Sequence, residues 1–256
     1  MNFMKQIPNL FTLLNLFFGC MAIVAASQNG LTIMYNTGGE QLVEIPESIF
    51  LASIFIGVSA VIDFLDGFIA RLFKATSEMG KQLDSLADIV SFGVAPAIIV
   101  YQFLRLSYAQ NEDGLDVNNI WLIPAFIIPC AGAFRLARYN IDTTQNQFFK
   151  GVPIPAIGIL IASYPLLYWF SSNSFFIDLL RNKWFWYAII LLCSYLMVSN
   201  IRFYSLKFKA FNFKKILPLF IIVIASVIAV FFVGWFAVTI GFLAYVIVSL
   251  LFKPQD

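Results

Sequence analysis

The chain has 256 residues, of which 61% are hydrophobic and only 12% charged, and its mean hydropathy is +0.85. Apolar stretches near the ~20 residues that cross a bilayer recur along its whole length, which excludes a large water-soluble core. Histidine is absent, which excludes imidazole acid–base catalysis and histidine-ligated zinc; the net charge of +2 says less than its distribution.

Taken in chain order, the apolar runs predict eight spans, at about residues 7–27, 48–72, 82–104, 119–139, 152–170, 184–201, 216–233 and 235–252. The expected fold class is an all-α, polytopic transmembrane helix bundle. Ala25, Ala26 and Ser27 would suit a signal-peptide cleavage site, but a single lysine makes a thin basic region. Asn9, Thr12 and Asn15 also interrupt the apolar segment, so the first span is read as a retained helix. Acidic residues interrupt the ends of the second and third spans, and Gly234 alone marks a turn between the last two. Cys20, Cys130 and Cys193 share no metal-like spacing.

Orientation follows from the Lys and Arg bias between alternate loops. With a cytosolic N-terminus, only Arg105, Arg181 and Lys183 of the 16 basic residues fall outside. The others, from Lys5 and Lys74 through Lys81, Arg202, Lys207, Lys209, Lys214 and Lys215 to Lys253, fall inside. The outside loops instead hold Glu40, Glu44, Glu47, Glu112, Asp113, Asp116 and Asp178. The expected placement is therefore a multi-pass inner (plasma) membrane protein with both termini cytosolic.

The cytosolic ends of spans two and three carry the chemistry. Asp63, Asp66, Gly67, Ala70 and Arg71 close the second span, and Gly80, Asp84 and Asp88 open the third. On helices, positions 63, 66, 67 and 70 share an arc of about 100°, and 80, 84 and 88 drift by about 40° per step. Four carboxylates can thus converge between two neighbouring helices. Each costs about 3 kcal/mol at a helix centre on insertion scales, and together they repel. Divalent cations resolve both costs, and hard oxygen ligands suit Mg²⁺ or Mn²⁺. The alternative is a set of solvated charges paired with Arg71, Lys74 and Lys81, which accounts poorly for four acids on two aligned faces.

Small residues admit two readings: Gly67, Ala70 and Gly80 either pack helices closely or leave room for a phosphate-bearing ligand. Thr12 and Asn15, with Gly19, share one face of the first span, and serve equally as interhelical hydrogen bonders or ligand contacts.

The string from Asp63 to Asp88, D-x2-D-G-x2-A-R-x8-G-x3-D-x3-D, resembles the signature of the CDP-alcohol phosphotransferase family at every motif position. That resemblance implies a six-helix membrane core and transfer of a substituted phosphate from a CDP-linked donor to an alcohol, with CMP released. It assigns metal ligation to Asp63, Asp66 and Asp84 with Asp88 beside them as general base, and a two-metal site. It puts Asp66, Gly67 and Ala70 at the CDP group, Arg71 among carboxylates or phosphates, and Gly80, Asn9, Thr12 and Asn15 with the CDP-lipid set. The implied division is a core over residues 1–215 and two added spans over 216–256.

Three further strings resemble the phosphatidylserine synthase branch of that family. They are the run from Asp84 to Ala97, the string Phe134-Arg-Leu-Ala-Arg-Tyr-Asn140, and Phe149-Lys-Gly-Val-Pro-Ile-Pro155. The expected partners are then CDP-diacylglycerol, L-serine, membrane lipids and a second copy in a homodimer, with no nucleic acid. Serine brings a carboxylate, for which Arg135, Arg138 and Lys150 are the expected cations, since arginine forks bind carboxylates bidentately. The same residues could instead serve topology. Ser199, Asn200 and Arg202 could edge the headgroup pocket. Diacylglycerol and archaeal-type donors are not separated by these strings. Glycerol-phosphate or inositol-phosphate acceptors are the nearest alternatives within the family. A divalent-cation or proton-coupled transporter is the rival from another class, although its acids would be expected nearer the midplane.

Overall fold

A computed structural model of the chain describes residues 7–28, 30–35, 41–72, 77–110, 117–142, 148–204, 224 and 226–251. Lys5, Lys74, Lys207, Lys209, Lys214, Lys215, Lys253, Glu40, Glu112, Asp113, Asp116 and most of the seventh predicted span lie outside the described residues. Five helical stretches are long and apolar enough to cross a bilayer. The first two are α1 (Ile7–Ser27) and α2 (Ile49–Leu72).

The third span is longer than its apolar run suggests, because helix continues from Glu78 to Ala109. Ser77 starts it by accepting a hydrogen bond from Gly80 N (3.0 Å), and α3 (Glu78–Asp88) follows. Next comes a π-helical segment, Ile89–Val94, and then α4 (Ala95–Ala109). Pro96 stands in the first turn of α4, where it lacks an N–H and would crowd the carbonyl of Phe92; the wider π turn lies directly before it.

The fourth span begins in two short 3-10 turns and becomes α5 (Ile127–Ile141). It is followed by α6 (Ile154–Phe170), α7 (Ser174–Leu180) and α8 (Lys183–Val198). The final helical residues form α9 (226–233) and α10 (Ala237–Leu251). Gly234, at φ +54°, reverses the chain between them: a Cβ on Gly241 would come within 2.4 Å of Ser226 Oγ, which only an antiparallel pair allows. The turn at Gly234 is therefore real, although the helical residues are contiguous.

Two antiparallel ribbons were not visible in the apolar pattern. Strands β1 (Thr32–Tyr35) and β2 (Gln41–Glu44) pair with Thr32 opposite Glu44; β3 (Phe148–Lys150) and β4 (Arg202–Tyr204) pair with Lys150 opposite Arg202.

The long third helix is the axis of the bundle. Helix α1 packs along α2, α3, the π segment and α4, while α6 packs on α2, α4 and the π segment, and α5 packs on α8. Glycines make this approach possible where hydrophobic driving force is weak. A Cβ on Gly19 would meet Ser91 Oγ at 2.3 Å, and one on Gly158 would meet Phe92 backbone at 2.9 Å. The π segment is thus pinched from both sides. Further along, Trp186 stacks on Phe103 at 4.8 Å, with Tyr164 edge-on to it. Phe17, Val61 and Phe64 are among the apolar residues exposed on the outside of α1 and α2, as a lipid-facing surface requires.

The two ends of the bundle differ. The start of α1, the end of α2, the start of α3, the end of α5 and the β3–β4 ribbon share one end. The other holds the β1–β2 ribbon, α7 and the Gly234 turn. There Glu44 accepts hydrogen bonds from both Tyr168 and Arg181, tying the ribbon to α6 and α7.

Candidate active site

The last turns of α2 place Asp63 and Asp66 on one face, and α3 places Asp84 opposite them. One carboxylate oxygen from each of the three lies within 4.8 Å of the others. Asp66 is buried at 6% exposure, and Asp63 and Asp84 are half-buried. At an effective dielectric of about 20, each such pair of charges repels by about 3 kcal/mol. A hard divalent cation reverses that sign, and three carboxylates are the donor set it prefers.

Helix α1 supplies the third wall. Thr12 Oγ1 donates to Asp66 Oδ2 (2.9 Å), with Pro8 O also at 3.2 Å. That bond orients a carboxylate which α2 alone would leave free to rotate. Asn9 reaches the start of α3, where its Oδ1 would lie 3.0 Å from a Cβ on Gly80. Gly80 therefore serves close packing. Gly67 does not: a Cβ there would meet nothing within 4 Å, so this face of α2 opens onto space beside the carboxylates. Ala70 is half-buried one turn on, and the Arg71 side chain lies outside the described residues.

Asn15 is fully buried. Its backbone carbonyl accepts from Ser59 (3.1 Å) and Ser91 (3.0 Å), while neither atom of its side-chain amide has a hydrogen-bond partner. A buried amide of this kind calls for a polar group that a ligand or water would bring.

Asp88 stands one turn beyond Asp84, immediately before the π segment and outside the group of three. It is 7% exposed and its Oδ1 makes no hydrogen bond. Asp63, Asp66 and Asp84 lie within electrostatic reach of it, as does the guanidinium of Arg135 on α5.

The three basic residues expected at a serine carboxylate do not stay together. Arg135 is buried and faces Asp88. Arg138 turns the other way and donates to Val198 O (2.9 Å), Ser199 O (3.0 Å), Lys150 O (3.3 Å) and Asn200 Oδ1 (3.1 Å). Its fork clasps the end of α8 to α5. Lys150 pairs with Asp142 at 2.7 Å. Arg202 lies on exposed β4 opposite Lys150, and Asn200 is occupied by Arg138.

Two contacts near the site were not anticipated. Asn140 Nδ2 donates to Ser85 Oγ (2.9 Å), and Lys81 Nζ donates to Asn140 O (3.2 Å), which docks the end of α5 on α3 beside Asp84. Both residues lie within strings already singled out, so position within the motif was the available signal.

Residues 5–180 match the family model described as CDP-alcohol phosphatidyltransferase. The chain belongs to the CDP-alcohol phosphatidyltransferase family. Among relatives of this family member, a CDP-diacylglycerol–serine O-phosphatidyltransferase of Helicobacter pylori is 35% identical over 229 residues, covering 88% of this chain and 81% of that protein. One of the same name from Bacillus subtilis is 30% identical over 200 residues, or 78% and 90% of the two chains. An archaetidylserine synthase of Methanothermobacter thermautotrophicus is 31% identical over 156 residues, covering 60% of this chain and 59% of that protein.

The Thr12–Asp66 bond yields a prediction. Thr12→Val keeps the shape but removes the donor that orients Asp66. It should raise the divalent-metal concentration for half-maximal activity by about tenfold, as loss of an orienting hydrogen bond does at other metal sites. A metal titration matching that of the unaltered chain would show that Thr12 does not orient this carboxylate.

Proposed function

We propose that the chain transfers the phosphatidyl group of CDP-diacylglycerol to the hydroxyl of L-serine, giving phosphatidylserine and CMP. The observation that carries this reading is the convergence of Asp63, Asp66 and Asp84 with buried Asp88 and Arg135 directly behind them. The similarity to serine phosphatidyltransferases over most of the chain supports serine as the acceptor.

Asp63, Asp66 and Asp84, with Asp88 at their edge, would hold Mg²⁺ or Mn²⁺ in a one- or two-ion site. Bound there, the metal neutralises the pyrophosphate and the charge on departing CMP. Thr12 orients Asp66, and the open face at Gly67 and Ala70 lets the CDP group approach the backbone. Asn9, Asn15, Gly80 and Arg71 complete the proposed donor side. Arg135 holds the serine carboxylate, while Arg138 and Lys150 build the wall behind it through their own bonds. Asp88 takes the proton from the serine hydroxyl. The serine oxygen then bonds to the phosphorus bearing diacylglycerol, and the bond from that phosphorus to the bridging oxygen of CMP breaks. Positioning and electrostatics supply most of the acceleration.

The basic bias of the loops at the aspartate end supports a cytosolic active site in the inner (plasma) membrane. In a chain whose native cysteines are replaced, a cysteine at Lys81 should react only with reagents that reach the cytosol, and one at Asn173 only from outside. Labelling of position 81 from outside in intact cells would overturn this orientation.

Purified chain, given CDP-diacylglycerol and Mg²⁺ or Mn²⁺, should release CMP with serine and form phosphatidylserine. Glycerol 3-phosphate and inositol phosphate should give little turnover; the reverse preference would sink serine as the acceptor. In the same assay Asp88→Asn should lower kcat by about 10²–10⁴-fold, the range of general-base catalysis, while binding of CDP-diacylglycerol persists. Near-normal kcat would remove Asp88 from the base role.

A further inference from the structure

The last helix reaches into the site from beyond the segment, residues 5–180, that matches the family model. Helix α10 packs on β4 and α6. Tyr245 on α10 is 9% exposed, and its ring stacks on Phe203 at 5.7 Å and 27°. Phe203 itself is fully buried, on the strand that pairs with β3. The ring therefore has a fixed seat. That seat lies beside α5, because Arg138 clasps residues 198–200, from which β4 springs. One turn earlier on α5 is Arg135, and its guanidinium and the Tyr245 hydroxyl lie within electrostatic reach of one another.

An arginine offers five N–H donors in a planar fork, and a buried one needs acceptors on every side it presents. Asp88 lies on one side of Arg135 and the phenol oxygen of Tyr245 on another. We propose that Tyr245 is a positioning residue for Arg135, its hydroxyl holding the fork in the plane that receives the acceptor's carboxylate beside Asp88. This rests on the reading of Arg135 as the carboxylate-binding group, and it gives the C-terminal hairpin a part in acceptor recognition.

Tyr245→Phe separates this role from packing, because it keeps the ring and its stack on Phe203 and removes only the hydroxyl. Steady-state kinetics with serine and CDP-diacylglycerol would be measured for Tyr245→Phe, Arg135→Lys and the double variant, alongside thermal unfolding. The expected result is a serine KM raised about three- to tenfold in Tyr245→Phe, the worth of one hydrogen bond, with unchanged CDP-diacylglycerol KM and unfolding temperature. The double variant should be no worse than Arg135→Lys alone, since the two residues act as one unit. If Arg135→Lys raises the serine KM while Tyr245→Phe does not, the positioning role is overturned and the reading of Arg135 stands. If Arg135→Lys shifts only the CDP-diacylglycerol KM, that reading fails; Tyr245→Phe shifting the same constant would still support positioning, and no shift would overturn it. Should the phenylalanine variant not fold, Tyr245→His carries the test: a serine KM below that of Arg135→Lys supports a required ring acceptor, and an equal one contradicts it.

Discussion

Three carboxylates within 4.8 Å of one another, at the end of an apolar helix bundle, set the condition that the rest of the molecule answers. Such a group is strongly unfavourable unless positive charge sits among it. Neither α2 nor α3 could tolerate the arrangement alone, and the residues around it are disposed to hold it in place. Thr12 fixes one oxygen of Asp66, and Asn9 reaches Gly80 at the start of α3. The acids are thus gathered before any ligand arrives, which is the preorganisation that electrostatic catalysis requires.

That gathering depends on packing far from the acids. Gly19 and Gly158 admit Ser91 and Phe92 so closely that the π segment is held between α1 and α6. The segment begins at the residue after Asp88, so the register of the widened turn decides where that carboxylate stands relative to Asp84. On the far side, the fork of Arg138 bonds carbonyls at the end of α8, and this fixes α5 and with it Arg135. Close helix approach, a shifted helical register and one arginine clasp together bring an acid and a cation behind the metal-binding face. A carboxylate-bearing alcohol fits between them, its hydroxyl toward the acid and its carboxylate toward the cation.

Much of this was legible in the residues. The spans were visible because bilayer crossing demands apolar length, and the turn at Gly234 because little else interrupts its run. The aspartate face was visible because spacings of three and four are what a helix aligns. What stayed hidden belongs to tertiary structure. Arg135 and Arg138, three apart, look alike until carbonyls some 60 residues further along the chain claim one of them. Gly67 and Gly80 look alike until one faces open space and the other faces Asn9. The π segment has no periodicity of its own in an apolar run, and Pro96 is its one local hint. Tyr245 is one more aromatic in a lipid-like sequence, and only the stack on Phe203 distinguishes it. The short ribbons lie between spans, where length and hydropathy carry no signal.

The central claim is that the carboxylates of α2 and α3 form one divalent-cation site. Titration of the purified chain with Mn²⁺, followed by electron paramagnetic resonance, reads that site without relying on turnover. The unaltered chain should bind Mn²⁺, and Asp63→Ala, Asp66→Ala and Asp84→Ala should each weaken binding by more than about tenfold while unfolding as the parent does. Undiminished Mn²⁺ binding in any one of these folded variants would contradict the account for that residue, and undiminished binding in all three would contradict it outright.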